Sequence, residues 1–383
     1  MFFLGGANGG ANGGANGGAN GGANGGANGG ANGGANGSHA GGPTSVLLSA
    51  ALGASRDAIL GYWDGTIDAT RVNSQPVAGD DLSYLSGERR ETILASALAS
   101  YFRVAPKTDA GPREVTVLFD QAPLVKLTAP EIPTFVKQLE QVRAYADLRL
   151  DRLSEIQVQI YDIMSFFGSI LQLAEGRREN VLRLLRVVQS VTIMVEQQVK
   201  HAVRSHRPID FSDKVQPIIQ TPDHSSFPSG HATEAFAIAT VLHRLITGQG
   251  PQNGAAEASM PFRLAHRIST NRVVAGVHFP VDNVAGALLG CQIGEAIAIA
   301  ATSEEGIASE VSFKSFAAKP GEDSFDFALR LQDANAKFWG VSSVLDPANS
   351  EPLDEEEKRI GVPGHSFDFV QKAWANAQTE VLA

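Results

Sequence analysis

The chain has 383 residues, of which 41 are acidic and 31 are basic, so its formal net charge is −10 at pH 7. This acidic balance argues against a general nucleic-acid binder, because such proteins carry a basic stripe or patch. The single cysteine, Cys291, excludes an internal disulfide and a metal cluster held by thiolates.

Eight GGAN repeats occupy residues 5–36. Glycine and asparagine bury little surface and lose much backbone entropy when ordered, so the repeats are not expected to form a packed core. We predict a low-complexity tether over residues 1–42, with a self-associating segment as the alternative. The remainder, residues 43–383, has ordinary globular composition and is predicted to form a single α-helical catalytic domain.

The first part of that domain has mixed patterning. Residues Glu88–Phe102 have helical periodicity, and Glu114–Phe119 has the composition of a short strand. Apolar residues then recur every three or four positions over Thr134–Leu173 and Arg177–Val203, which predicts long amphipathic helices.

Two further helices are predicted over His231–Thr247 and Val281–Ala301, each opening just after a proline-containing loop. The acidic tail predicts helices at Asp323–Phe338 and near Phe367–Ala377. The fold class is therefore mainly α, with a motif-bearing core over about residues 134–302.

The most apolar stretch, Val284–Thr302, contains Gln292 and Glu295. It falls short of the ~18 uninterrupted apolar residues that a spanning helix needs. The N-terminal MFFL has no basic region and is not typical of a secretory signal. These features predict a soluble protein that is cytoplasmic by default.

Three short segments place charged residues where a core does not need them. The first is KHAVRSHRP, which begins at Lys200 and ends at Arg207 and Pro208. Taken alone it is a solvated helix end, because basic side chains favour helix C-termini and Pro208 stops the helix.

The second segment is FPSGHA, in which Ser229, Gly230 and His231 precede an apolar helix. A serine N-cap is the ordinary interpretation. The same arrangement binds anions, because the first amides of a helix lack partners and its dipole favours negative charge. A cationic His231 would oppose that dipole, so a neutral or titrating imidazole is the better interpretation.

The third segment runs from Asn271 and Arg272 to His278 and Asp282. A carboxylate four residues after the histidine is placed to fix its tautomer. Taken together, the segments supply three cations, an amide loop and two histidines, which is the chemistry needed to hold an oxyanion and transfer a proton.

The three motifs resemble the superfamily that joins type 2 phosphatidic acid phosphatases, bacterial non-specific acid phosphatases and vanadium-dependent haloperoxidases. Its pattern is Lys-x6-Arg-Pro, then Pro-Ser-Gly-His, then Ser-Arg-x5-His-x3-Asp, and each spacing is met here. The departure is Asn271, where the phosphatases usually place serine. The resemblance implies a helical-bundle core of the haloperoxidase and acid phosphatase type.

The resemblance also implies roles. Five groups would bind the equatorial oxygens of the anion: Lys200, Arg207, Ser229, the Gly230 amide and Arg272. His278 would be the apical vanadium ligand or the attacking nucleophile, His231 the acid–base group, and Asp282 the group that orients His278. Lys200 would also polarise a bound peroxide.

Length and the sequence from His266 to Asp282 favour the haloperoxidase branch. That hypothesis implies one vanadate per subunit, with hydrogen peroxide and bromide or iodide as substrates and an organic acceptor as a further partner. His224, five residues before Ser229, occupies the position where bromoperoxidases of the family have histidine, so the resemblance implies that it tunes the cofactor for bromide. It is otherwise an ordinary polar loop residue.

Two alternatives remain open. The runner-up is a soluble acid phosphatase in which His278 attacks phosphorus and His231 protonates the leaving group. The third is a non-catalytic scaffold. No nucleic-acid or membrane partner is expected, and a homo-oligomer, dimer or larger, is predicted from the long apolar helices.

Overall fold

The computed structural model describes residues 46–60, 65, 82–107, 113–174, 176–302, 311–313 and 367–382. The chain divides into two compact units, one of residues 1–78 with 158–162 and one of residues 79–157 with 163–383. The GGAN tract and the helix predicted at Asp323–Phe338 lie outside the described residues. A tether over 1–42 and a single domain over 43–383 therefore stay predictions.

In the smaller unit, α1 (Val46–Leu60) is described as a helix with exposed side chains over residues 50–59. The larger unit is mostly helical. Its longer helices are α2 (Gly87–Ala99), α3 (Ile132–Tyr145), α4 (Arg149–Gln159), α5 (Met164–Leu171), α6 (Glu179–Val203), α8 (Gly230–Thr247), α10 (Met260–Val274), α11 (Pro280–Thr302) and α12 (Asp368–Leu382). Two short helices, α7 (Pro208–Phe211) and α9 (Pro251–Ala256), lie between them.

A small sheet packs beside the helices. Its strands are β1 (Phe102–Pro106), β2 (Glu114–Phe119), β3 (Ala122–Thr128) and β4 (Val311–Phe313), in that spatial order. The first three strands pair antiparallel, and β3 pairs with β4 in parallel. The prediction of a mainly α fold is confirmed, because the described residues are predominantly helical with little strand.

Strands β1, β3 and β4 and the short helices α7 and α9 were not predicted, and two further differences concern the longer helices. The single helical stretch expected from Thr134 to Leu173 is divided into α3, α4 and α5, with a 3₁₀ turn at Ala146–Leu148. Helix α10 was not predicted, because its polar and apolar residues are interspersed. Its start follows the extended residue Ser259, and Pro261 occupies the first turn, where a missing amide proton costs nothing.

Helix α11 forms the centre of the core and is buried over almost its whole length. It is the one helix of the described residues that is long and apolar enough to cross a membrane, and 94% of its most apolar window is buried inside the protein. A helix that is apolar all round is the usual centre of a large helical core.

Three glycines on α11, Gly286, Gly290 and Gly294, let it approach α8 closely. A Cβ at Gly286 would lie 2.5 Å from the carbonyl oxygen of Ser229, and one at Gly294 would lie 2.9 Å from that of Ala237. Larger side chains would push the two helices apart. This packing fixes the start of α8, where the second motif lies, against the start of α11, where the third motif ends.

Candidate active site

The three motifs meet where α6 ends, where α8 begins and where α10 leads into α11. Six of their side chains are each no more than 4% exposed: Lys200, Arg207, Ser229, Arg272, His278 and Asp282. Charged residues are rarely buried without partners, so each of these groups has to be accounted for by its contacts.

Asp282 holds the ring of His278. Its Oδ2 lies 3.1 Å from Nδ1 of His278 and accepts hydrogen bonds from the amide of Phe279, at 2.9 Å, and from the hydroxyl of Ser226. This network assigns the proton to Nδ1 and leaves a lone pair on Nε2. Burial lowers the pKa of His278 well below its usual range, and the charges of Arg207 and Lys200 lower it further. His278 is therefore a neutral imidazole at pH 7.

The buried surroundings of Asp282 disfavour the charged form of its carboxyl. Burial raises its pKa to about 6, although the hydrogen bonds from Ser226 and Phe279 oppose that rise. At pH 7 it remains mainly a carboxylate, which is the form that accepts the Nδ1 proton of His278. The structure thus brings together the pair that the sequence predicted.

Arg207 covers the other nitrogen of the same ring. Its Nη1 lies 3.0 Å from Nε2 of His278 and donates to the carbonyl of Val277 at 2.8 Å. The rest of the guanidinium donates to the carbonyls of His224 and Ser225 at 3.0–3.2 Å. Neutral carbonyls orient the guanidinium without cancelling its charge, so Arg207 keeps its attraction for an anion.

Lys200, like Arg207, is held by neutral backbone carbonyls. Its ammonium donates to the carbonyls of Ser225, at 3.1 Å, and Pro228, at 2.5 Å. Burial lowers its pKa to about 8, and the carboxylate of Glu196 limits the fall. Lys200 is therefore charged at pH 7 and loses that charge in mildly alkaline solution.

Ser229 precedes α8 as its N-cap residue, but its side chain makes no capping hydrogen bond. Its Oγ is buried and has no hydrogen-bond partner among the described residues, while its amide donates to the carbonyl of Asp282 at 2.9 Å. The ordinary N-cap interpretation therefore does not account for this side chain. A buried hydroxyl without a partner is expected to bind a ligand atom.

Arg272 lies near the end of α10 and donates to the carbonyl of Ile156 at 3.4 Å. Burial lowers its pKa to about 10, with the charge of Glu234 acting in the opposite direction. An arginine remains charged at that pKa, so Arg272 adds a third buried cation.

Asn271 connects α10 to α4. It stands where phosphatases of the family that the motifs resemble usually have serine. Its Oδ1 accepts from Arg152 at 3.0 Å, and its Nδ2 donates to Glu155 at 3.1 Å. Glu155 also pairs with Arg267 at 2.5 Å. The amide can donate and accept at once, and the shorter serine does not extend to both partners. The departure therefore has a structural reason.

The loop that carries His278 is fixed from two sides. Gly276 has φ +82°, and a Cβ there would lie 2.8 Å from the guanidinium of Arg149. Phe279 packs between Phe135 and Phe211, with ring centroids 4.8 and 5.7 Å away. A rigid loop holds the imidazole in one orientation.

His231 lies in the first turn of α8 and is partly buried. Its charge is among those that lower the pKa of His278, which places the two imidazoles within electrostatic reach. Its role as the acid–base group stays a prediction.

The imidazole of His224 lies beside the guanidinium of Arg207. Its Nδ1 lies 3.2 Å from Nη2 of Arg207, and burial lowers its pKa to about 4. His224 is therefore neutral at pH 7 and does not repel the guanidinium beside it. The predicted bromide-tuning role of His224 stays a prediction.

Three residues of this region were missed from the sequence. Ser226 is fully buried and bonded to Asp282. Glu196 is 2% exposed, its Oε2 has no partner among the described residues, and both its oxygens lie 2.8 Å from the position of a Cβ on Gly230. Glu234 accepts from Gln189 at 2.7 Å. A signal for Glu196 did exist, because it precedes Lys200 by one helical turn on the buried face of α6.

Glu196 and Glu234 are both buried carboxyls of raised pKa. Burial raises the pKa of Glu196, and burial together with the charge of Glu196 raises the pKa of Glu234 to about 8. Repulsion between like charges disfavours the ionisation of both carboxyls in one enclosed site, so the pair retains a proton near neutral pH.

A groove of about 520 Å³ opens over Lys200 and Arg207. Its other lining residues are Gln197, His201, Arg204, Ser205, His206, Asp210, Thr221, Pro222, Asp223, His224 and Ser225. The groove gives the two cations a route to solvent.

Comparison with known proteins bears on the same region. Residues 181–302 match the model of the PAP2 superfamily, a span that contains all three motifs. Two curated proteins named decaprenylphosphoryl-5-phosphoribose phosphatase, from Mycobacterium tuberculosis strains CDC 1551 / Oshkosh and ATCC 25618 / H37Rv, are 32% identical to this chain over 96 residues. The aligned part is 25% of this chain and 48% of each relative, so the chain spans about half the length of the curated relatives it matches.

Proposed function

We propose that the protein is a phosphatase that hydrolyses phosphomonoesters through a phosphorylated His278. The observation that carries the proposal is the neutral imidazole of His278, fixed by Asp282 at Nδ1 and surrounded by buried cations. The PAP2 superfamily match and the phosphatase name of the aligned relatives favour this function over the haloperoxidase that the sequence first suggested.

In the first step, Nε2 of His278 attacks phosphorus and the bond to the ester oxygen breaks. His231 gives its proton to that oxygen, and the alcohol leaves. The imidazole ring becomes positively charged when Nε2 bonds to phosphorus, and the carboxylate of Asp282 at Nδ1 stabilises that charge.

In the second step, water attacks phosphorus and loses a proton to His231, and the bond between phosphorus and Nε2 of His278 breaks. Inorganic phosphate leaves, and the imidazole of His278 is neutral again. In both transition states, Lys200, Arg207 and Arg272 offset charge on the equatorial oxygens, and the unpartnered hydroxyl of Ser229 donates to one of them.

The same donor set would fit vanadate, because vanadate is an oxyanion that the three cations and the hydroxyl of Ser229 would hold. His278 would hold it through Nε2. Bound vanadate would supply a Lewis acid that activates hydrogen peroxide toward halide. No contact of the described residues distinguishes this use from phosphate transfer, so haloperoxidase activity stays a prediction that the comparisons do not support.

The test compares the wild-type chain with H278A, and uses H266A on α10 as a matched histidine control. Each is assayed for nitrophenyl phosphate hydrolysis, and for peroxide-dependent bromide and iodide oxidation with and without orthovanadate. A brief reaction with labelled substrate is quenched in alkali, where phosphohistidine survives.

We expect hydrolysis and an alkali-stable label in wild type and H266A, and loss of both in H278A by a factor of about 10³ or more. Inhibition of hydrolysis by vanadate is also expected. Vanadate-dependent halide oxidation without ester hydrolysis would overturn the proposal in favour of the haloperoxidase.

A further inference from the structure

The groove over Lys200 and Arg207 is walled by polar side chains. Among its thirteen lining residues, which the structure describes in full, Pro222 is the one apolar side chain. An acyl or prenyl chain gains its binding energy from apolar surface, and this groove offers little of it. The part of a substrate that lies here is therefore hydrophilic.

The charges in the groove are arranged in two layers. Lys200 and Arg207 form the buried floor, where they would hold the transferred phosphoryl group. Arg204 lies on the exposed rim, one helical turn beyond Lys200. Arg204 is the left-handed residue that ends α6 and lines the same groove as Lys200 and Arg207, so one ligand in the groove can contact the floor and the rim together.

Arg204 is available to a ligand. Of its guanidinium, only Nε is engaged among the described residues, donating to the carbonyl of His201 at 3.2 Å. The terminal nitrogens form a planar fork that matches a carboxylate or a phosphate. The exposed residues His201 and His206 line the same groove as Arg204.

The two acidic residues of the groove do not neutralise Arg204. Asp210 accepts from the amide of Arg207 at 2.7 Å and lies 3.6 Å from Nδ1 of His206. Asp223 acts on Arg207 and His224, whose pKa values its charge raises. Neither carboxylate forms an ion pair with Arg204 in the described residues.

We propose that the substrate is a small, hydrophilic phosphomonoester with a second negatively charged group, and that Arg204 binds that second group. The inference rests on the proposed phosphatase function and names the substrate class of the same site. Arg204 is a specificity-determining residue here and does not touch the reacting atoms.

The test uses two substrates that differ in one group. In 3-phosphoglycerate a carboxylate takes the place of the hydroxymethyl group of glycerol 3-phosphate. Hexadecyl phosphate, dispersed in detergent, represents an apolar leaving group. The ratio of kcat/KM for 3-phosphoglycerate to that for glycerol 3-phosphate is measured by phosphate release in four full-length proteins: wild type, R204Q, R204K and the control R89Q, whose arginine is exposed on α2.

We expect a wild-type ratio of about 5, which is the size of a charge-assisted contact at an exposed arginine. The ratio should fall to about 1 in R204Q, stay above about 2 in R204K and remain at the wild-type value in R89Q. Hexadecyl phosphate should be the poorest of the three substrates. A wild-type ratio near 1, a ratio unchanged in R204Q, or a preference for hexadecyl phosphate would overturn the inference.

Binding provides a second measurement that does not need turnover. Wild-type protein and R204Q are titrated calorimetrically with 3-phosphoglycerate and with glycerol 3-phosphate, under conditions where hydrolysis is negligible or absent. The ratio of the two dissociation constants then measures the preference for the second negative charge. If the protein hydrolyses no phosphomonoester but R204Q still loses the binding preference for 3-phosphoglycerate over glycerol 3-phosphate, the proposed function fails and the second anion site stands. If hydrolysis is found and the binding preference is missing, only this inference fails.

Discussion

Nη1 of Arg207 lies 3.0 Å from Nε2 of His278, the nitrogen that has to bond to phosphorus in the proposed reaction. The guanidinium therefore covers the attacking atom in this arrangement. Because Arg207 is held there by the carbonyls of Val277, His224 and Ser225, it can turn toward an anion without losing a fixed ionic partner.

We expect an oxyanion to move Arg207 away from Nε2. A structure with bound tungstate should place the guanidinium on equatorial oxygens, with more than about 3.5 Å between Nη1 and Nε2. The histidine ¹⁵N spectrum should show the change in solution, with the Nε2 signal of His278 shifting on tungstate addition. A bound anion that leaves this contact intact would rule out Nε2 as the nucleophile.

Ser226 is expected to act as a positioning residue. In S226A, Oδ2 of Asp282 loses the hydroxyl bond that helps to orient it toward His278. Loss of such an outer contact should lower kcat by about tenfold with little change in KM. Steady-state kinetics of S226A and of the control S190A on α6 will check this. Equal effects on kcat and KM would indicate a general structural role instead.

The pKa of Lys200, lowered to about 8, predicts a pH limit on anion binding. The ammonium is charged below that value and neutral above it, so affinity for an anion should fall as the pH rises through about 8. The inhibition constant of tungstate, whose own charge is constant over this range, should rise by up to about tenfold per pH unit above 8. In K200Q the affinity for tungstate should be lower at every pH, and the rise of the inhibition constant above pH 8 should be absent.

The pair of Glu196 and Glu234 predicts a pH-dependent stability. The pKa of Glu234 is raised from 4.5 to about 8, so its contribution to folding is complete below pH 4.5 and is lost as the pH rises through 8. The groups that act on it are Glu196, Lys200, Arg272 and Gln189.

E234Q does not titrate and should keep its stability in this range. Between pH 5 and pH 8.5, the Tm of wild type should fall by about 3 °C or more beyond that of E234Q. Thermal unfolding at both pH values measures this difference. The control E140Q replaces an exposed carboxylate on α3 and should follow wild type. Parallel behaviour of E234Q and wild type would contradict the prediction.

Asn271 is expected to contribute to stability and not to catalysis. In N271S the hydrogen bonds to Arg152 and Glu155 are lost, which should lower the free energy of unfolding by about 1–2 kcal/mol. Denaturant unfolding of N271S, with N253S on the exposed face of α9 as control, tests the loss. A large fall in kcat with unchanged stability would instead assign Asn271 to the site.

The sequence was sufficient for the helical elements with strong periodicity and for the motif spacing. Helices α6, α8 and α11 begin and end within two residues of the predicted bounds, because apolar periodicity and proline-containing starts are local signals. The 3₁₀ turn that divides the stretch after α3 has no such signal, since its residues are compatible with a continuous helix.

For the candidate site, the sequence by itself identified which side chains take part. These are His278 and Asp282, four residues apart, the cations Lys200, Arg207 and Arg272, and Ser229 at the start of α8. Only the tertiary structure decided what these groups do to one another. The contact of Arg207 with His278 joins residues 71 positions apart, and the placement of Glu196 against Gly230 depends on how α6 packs beside α8. Burial and through-space charge set the protonation of each group, and neither is a property of sequence neighbours.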